Sequence, residues 1–168
     1  MTLEIDYPKE IAGDNPYTIV FMYSENLYDW KLMDTDKHIY SKDRYTACPV
    51  IKYIGGYYYM IYLEILALYN CLPCIVRSKD LKSWDPAPIN PIMFYSDEDK
   101  IIPYPDRLTE SEKKRVECAL NTNNSDIDLC EYDGKTIIMY SWGNQLGEEF
   151  LAYAEFDGEM QEFFESFY

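Results

Sequence analysis

Residues 123–144 read Asn-Asn-Ser-Asp-Ile-Asp-Leu-Cys-Glu-Tyr-Asp-Gly-Lys-Thr-Ile-Ile-Met-Tyr-Ser-Trp-Gly-Asn. Ile127 and Leu129 alternate with Asp126, Asp128 and Cys130, the period of a strand with two distinct faces. Asp133-Gly134 is a strong hairpin signal, and Thr136 to Tyr140 is a β-branched, apolar and aromatic return strand. Two carboxylates, Asp126 and Asp128, therefore start a strand and point the same way. Asn123, Asn124, Ser125, Trp142, Asn144 and Gln145 cluster around them. Acids and amides beside a tryptophan suit polyol recognition. The plainer alternative is an Asx-rich loop that caps a sheet.

Working outward, the hairpin has a counterpart. Gly56 to Tyr62 (GYYYMIY) lies over Gly134 to Tyr140 (GKTIIMY). The overlay puts Cys48 over Asp126, Pro49 over Ile127 and Glu64 over Trp142. It predicts a strand over Cys48–Ile54, a turn at Gly55-Gly56 and a return strand over Tyr57–Leu63. A second repeat, S-x-x-L-x-x-W, occurs at Ser24, Leu27, Trp30 and again at Ser78, Leu81, Trp84. Tyr17–Tyr23 and Ile75–Arg77 read as the strands leading into these repeats. Four short antiparallel strands with a tryptophan near the third turn describe a propeller blade. Residues 1–16, with Pro8, Gly13 and Pro16, read as a polar lead-in arm, and Ile65–Cys74 as a loop. The helix expected is Leu108–Leu120, where Thr109 and Glu112 form a capping box. Phe150–Phe156 is a further strand.

The 168 residues include 18 tyrosines and three tryptophans, a composition that favours β structure. The net charge of −15 argues against nucleic acid and anionic membrane as partners, since both require a basic footprint. The N-terminal residues lack a signal-peptide pattern, and the longest apolar run is too short to span a bilayer. The expectation is a cytoplasmic protein with no cofactor. The five cysteines are odd in number, which argues against a disulfide framework. Cys71-Leu-Pro-Cys74 is a C-x-x-C, but Cys118 and Cys130 are too far apart to complete a zinc ribbon, so free thiols and no metal are expected. His38 is the single histidine, and nothing near it resembles a nucleophile elbow.

These blade-like segments, A-C-P-V-I-K-Y-I-G-G-Y-Y-Y-M-I-Y (47–62), S-K-D-L-K-S-W (78–84) and N-S-D-I-D-L-C-E-Y-D-G-K-T-I-I-M-Y-S-W-G (124–143), resemble the five-bladed β-propeller glycosidases of glycoside hydrolase family 43. The resemblance implies an all-β, five-bladed propeller type with four-stranded antiparallel blades. Only about two and a half blades are present: part of one over 17–46, one over 47–95 and one over 123–168. Five blades of about 60 residues need roughly twice this length. A partial propeller exposes unpaired blade edges, so the chain is either a fragment or closes its ring by self-association.

The family pattern also implies an axial funnel with acids from different blades, and glycoside cleavage needs one protonated and one ionised carboxyl. Asp126 occupies such a position as a catalytic carboxylate. In the preceding blade the family's general acid is a Glu in a Glu-Gly-Pro pattern, where this chain has Ala47-Cys48-Pro49. Glu64 is the available substitute. Arg44, Asn124 and Asp128 would bind hydroxyls, and Trp142 or Tyr62 would stack on a sugar face. The alternatives are a glycan-binding propeller without turnover and an inactive relic.

Overall fold

The computed structural model describes residues 1–15, 17–35, 37–65 and 70–168. These form three antiparallel sheets with few helices, an arrangement consistent with part of a propeller. The first sheet holds β1 (Thr2–Asp6), β2 (Tyr17–Tyr23) and β3 (Lys31–Leu32). The second holds β4 (Thr46–Ile54), β5 (Tyr57–Ile65), β6 (Cys71–Ser78) and β7 (Asp85–Pro86). The third holds β8 (Asn123–Tyr132), β9 (Lys135–Gly143) and β10 (Glu149–Phe156). Only the middle sheet carries four strands among the described residues. The flanking two have three each.

Turn chemistry sets the hairpins. Gly55 and Gly56 have φ of 59° and 84°, and Asp133 and Gly134 have φ of 52° and 74°. Two consecutive positive φ values match the twist of the flanking strands, which is why Gly-Gly and Asp-Gly stand there. The two S-x-x-L-x-x-W segments are also turns. Ser24 Oγ accepts from the Leu27 amide at 2.9 Å, and Asn26 Oδ1 accepts from the amides of Tyr28 and Asp29 at 2.9 and 2.8 Å. Ser78 Oγ accepts from the Leu81 amide at 2.8 Å, and Asp80 Oδ1 from Lys82 and Ser83, each at 2.9 Å. Short polar side chains that bond their own backbone hold the turn closed. Leu27 and Leu81 are thereby held at φ of 65° and 59°.

The sheets pack face to face. Between the first and second lie Ile19, Phe21, Met60, Tyr62, Cys74 and Val76, with Trp84 stacked on Phe21 at 5.7 Å. Between the second and third lie Tyr59, Ile61, Ile75, Ile127, Leu129, Ile138 and Tyr140. Helix α3 (Met160–Glu165) closes this second core. Phe164 stacks on Tyr59 at 4.8 Å, and the Met160 amide donates to Glu131 on β8 at 2.8 Å.

Three segments differ from the sequence reading. The expected lead-in arm contains β1 and a short helix, α1 (Lys9–Ala12). Of the expected loop Ile65–Cys74, Ile65 ends β5, Cys71–Cys74 begin β6, and residues 66–69 lie outside the described residues. The aromatic end of the chain forms α3, opened by a Glu159/Glu162 capping box. The helix expected near 108–120 is α2 (Glu110–Cys118), with the Thr109/Glu112 capping box in place. No helix among the described residues is long and apolar enough to cross a membrane.

Candidate functional site

The first strands of the second and third sheets carry the same irregularity. On β4, Ala47 pairs with Leu63 and the next pair is Val50 with Ile61. On β8, Ser125 pairs with Ser141 and the next pair is Asp128 with Met139. In each strand two residues oppose one, which is a β-bulge. The residue thrown out of register is Cys48 in one and Asp126 in the other, with φ of 47° and 51°. A bulge re-aims a side chain, and Asp adopts this left-handed conformation more readily than most residues. Pro49 fits beside Cys48 because a bulge does not require its missing N–H.

The β4 bulge meets residues of the first sheet. Glu4 on β1 accepts the Cys48 backbone N–H on Oε2 at 3.0 Å, and Thr2 Oγ1 donates to the Pro49 carbonyl at 3.2 Å. The Cys48 thiol lies close enough to the Asp126 carboxylate to be raised by it. Glu4, Cys48 and Asp126 therefore converge from the first strands of three sheets. Asp126 is exposed, and its Oδ2 accepts from the buried Ser125 hydroxyl at 2.8 Å, which in turn accepts from Gln145 Nε2 at 3.0 Å. Burial, then the Asp126 carboxylate, then the charge of Glu4 push the Cys48 thiol far up. Cys71, at the start of β6, is pushed up to about 11 by burial and the charges of Asp126, Glu149 and Glu4. Both thiols stay protonated at neutral pH, which makes them poor nucleophiles. None of the five cysteines is joined in a disulfide, and Cys71 and Cys74 belong to different packing clusters on β6.

The other expected site residues fall elsewhere. Glu64 forms an ion pair with Arg44 at 3.4 Å, and Arg44 Nη2 reaches the Tyr40 hydroxyl at 3.5 Å. Tyr40 packs edge-on to Tyr62 at 4.7 Å. Asp128 is exposed and pairs with Lys52 of β4 at 3.4 Å. Asn124 is buried, and its amide is engaged by Asn121 at 2.9 Å and the Phe94 carbonyl at 3.2 Å. Trp142 is only 4% exposed, on the core face of β9, with Phe150 at 6.0 Å and Lys100 over its ring at 5.8 Å. It lines a groove along β10 together with residues of the 98–116 segment. Glu4 is the residue that sequence reasoning missed. Its signal was the alternation Thr2-Leu-Glu-Ile-Asp6, five residues inside an apparently irregular arm.

In chemical terms, the cluster offers two carboxylates from different sheets, a protonated thiol and an amide-hydroxyl relay. That set places hydrogen-bond acceptors and donors close together. Among the described residues, no group of three His, Cys, Asp or Glu is placed to hold a metal ion.

No family model matches the sequence, and no curated protein matches it. Solved structures do. One described as "Glycoside hydrolase" shares 15% identity at a TM-score of 0.57, covering 86% of this chain and 36% of that one. A second, described as a BT0996 RGII complex, matches with the same identity, TM-score and coverage. A thermostable family-43 glycoside hydrolase gives a TM-score of 0.39 at 15% identity, over 86% of this chain and 62% of that one. The chain thus spans little more than a third of the first two structures, and the likeness to them is one of fold.

Proposed function

We propose that this chain is a glycosidase-type propeller segment that engages carbohydrate at the inner ends of β1, β4 and β8. The observation that carries this reading is the meeting of Glu4, Cys48 and Asp126 from three separate sheets. Asp126 accepts sugar hydroxyl protons. Glu4, fixed by the Cys48 amide, supplies the second carboxylate. Gln145 and Ser125 orient Asp126. Arg44, Glu64 and Asp128, engaged in ion pairs away from this centre, would contact only the outer parts of a longer ligand. The fold likeness to glycoside hydrolases supports the same class of ligand.

Binding without efficient turnover is the form of this function that Cys48 favours. Hydrolysis needs a carboxyl that donates a proton to the leaving oxygen, with a pKa near the working pH. A thiol pushed far up by burial is a poor donor. Hydrolysis by Glu4 and Asp126 as the acid–base pair is the second reading, favoured by their origin on different strands around one point.

A panel of oligosaccharides titrated by calorimetry separates the two. The expected result is binding by the native chain, at least tenfold weaker in Asp126→Asn, with little release of reducing sugar. Cys48→Glu is expected to raise turnover. Native-level turnover that survives Asp126→Asn would remove the carboxylate pair from the mechanism.

A further inference from the structure

β10 is the outer strand of the third sheet, and no strand lies beyond it among the described residues. In the second sheet the corresponding strand, β6, is covered by β7. β10 therefore keeps one side of its backbone unpaired by a strand. Such an edge is a template for another extended chain. A groove of about 860 Å³ runs along it. Seven consecutive residues, Glu149 to Glu155, line one wall, and residues of the 98–116 segment line the other. The volume falls in the range of ligand sites, roughly 300–1,000 Å³. Phe150, Ala152 and Ala154 face the core side of the groove, and Leu151 and Tyr153 are exposed on the opposite face.

Charge selects the occupant. Four glutamates (98, 112, 149 and 155) line the groove against two cations, Lys100 and Arg115. Both cations are engaged by aromatic walls: Lys100 lies over Trp142 at 5.8 Å and Arg115 over Phe150 at 5.6 Å. Glu149 stands at one end of the edge, and Glu155, held by Lys135 at 2.8 Å, at the other. A second copy of β10 fits poorly. Antiparallel pairing centred on Ala152 would set Glu149 opposite Glu155 of the other copy twice over, and like charges directly opposite destabilise a strand pair. The net charge of −15 adds to that repulsion.

The geometry points to β10 as a docking strand for an extended peptide with alternating apolar residues and basic residues at its ends. Main-chain hydrogen bonds to the open edge supply affinity, and the glutamates supply specificity. The inference is independent of the carbohydrate reading.

The test uses three blocked synthetic heptapeptides: Lys-Val-Thr-Val-Thr-Val-Lys, the same peptide with Glu at both ends, and the Lys form N-methylated at alternate residues. Fluorescence anisotropy is expected to show the Lys form binding at least tenfold tighter than the other two, and more weakly as salt rises. Hydrogen exchange should slow in β10 on binding. Glu149→Lys combined with Glu155→Lys should reverse the preference between the charged peptides. Equal affinity for all three, no binding of the Lys form, or unchanged exchange in β10 would overturn the proposal. So would a concentration-dependent dimer that protects β10, which would assign the edge to a second copy.

Discussion

The second and third sheets are built on one plan. Ala47 with Leu63 and Val50 with Ile61 in one correspond to Ser125 with Ser141 and Asp128 with Met139 in the other. Both first strands bulge at the same place, and both push one residue into the left-handed region. What differs is the side chain put there. Cys48 is a half-buried thiol, whereas Asp126 is an exposed carboxylate. The backbone device is common to both sheets, and the chemistry at the centre depends on a single residue in each. A bulged strand can therefore keep its packing while its reactive group changes.

The largest test of that separation lies within two adjacent residues. Ile127 is 5% exposed in the core between the sheets. Ile127→Asn should cost about 3–5 kcal/mol, from the lost side chain and a buried unsatisfied amide. Asp126→Asn should change stability by less than about 0.5 kcal/mol, as surface substitutions do. Urea denaturation measures both. Comparable losses would mean that Asp126 is a packing residue.

The outer turns extend the comparison. Trp84 packs on Phe21 and Tyr40, while Trp30 is 36% exposed. Trp84→Ala should cost about 2–3 kcal/mol and Trp30→Ala less than about 1 kcal/mol, because the loss scales with buried area. Equal effects by thermal melting would show that the repeat, not its packing, sets the value of each tryptophan.

Cys48→Asp would make the second sheet's centre like the third's. It would bring a third carboxylate beside Glu4 and Asp126, so its folded-state pKa should rise above the unfolded value. Stability from a raised group is present at low pH and lost as pH rises through the folded pKa. The variant should thus be about 1–2 kcal/mol less stable than the native chain at pH 7 and recover toward it near pH 4. A pH-independent loss would contradict the cluster.

The smallest effect concerns the thiols. Cys118 and Cys130 are exposed, while Cys71 and Cys74 are buried and each pushed up to about 11. The latter two contribute stability below the unfolded thiol pKa, near 8.5, that is lost as pH rises toward about 11. At about pH 8, iodoacetamide should label Cys118 and Cys130 quickly, with the other three protected until unfolding. Rapid labelling of Cys71 would mean that the inner strands open easily.

The sequence made much of this plan readable. The match of GYYYMIY to GKTIIMY placed Cys48 over Asp126, and the strand pairing repeats that overlay. Local signals sufficed because hairpin turns and two-residue periods are local. The strand that carries Glu4 had a signal in its alternation, but the role of Glu4 was not readable, since it lies in a contact with Cys48 across 44 residues. Asn124 looked like a free amide at a strand start, yet its partner is the carbonyl of Phe94 in a distant excursion. Trp142 was legible in principle. It shares its face with Ile138 and Tyr140, both buried, and the polar residues around it masked that phase. The bulges were invisible because one extra residue leaves no compositional trace.

The central claim is that Glu4 and Asp126 act together on one ligand. A double-mutant cycle on oligosaccharide affinity, measured by calorimetry with Glu4→Gln, Asp126→Asn and the pair, tests it most directly. The account predicts that each single substitution weakens binding at least tenfold and that the pair loses clearly less than the sum of the two, a coupling of about 1 kcal/mol or more. Strictly additive losses, or affinity that neither substitution changes, would contradict it.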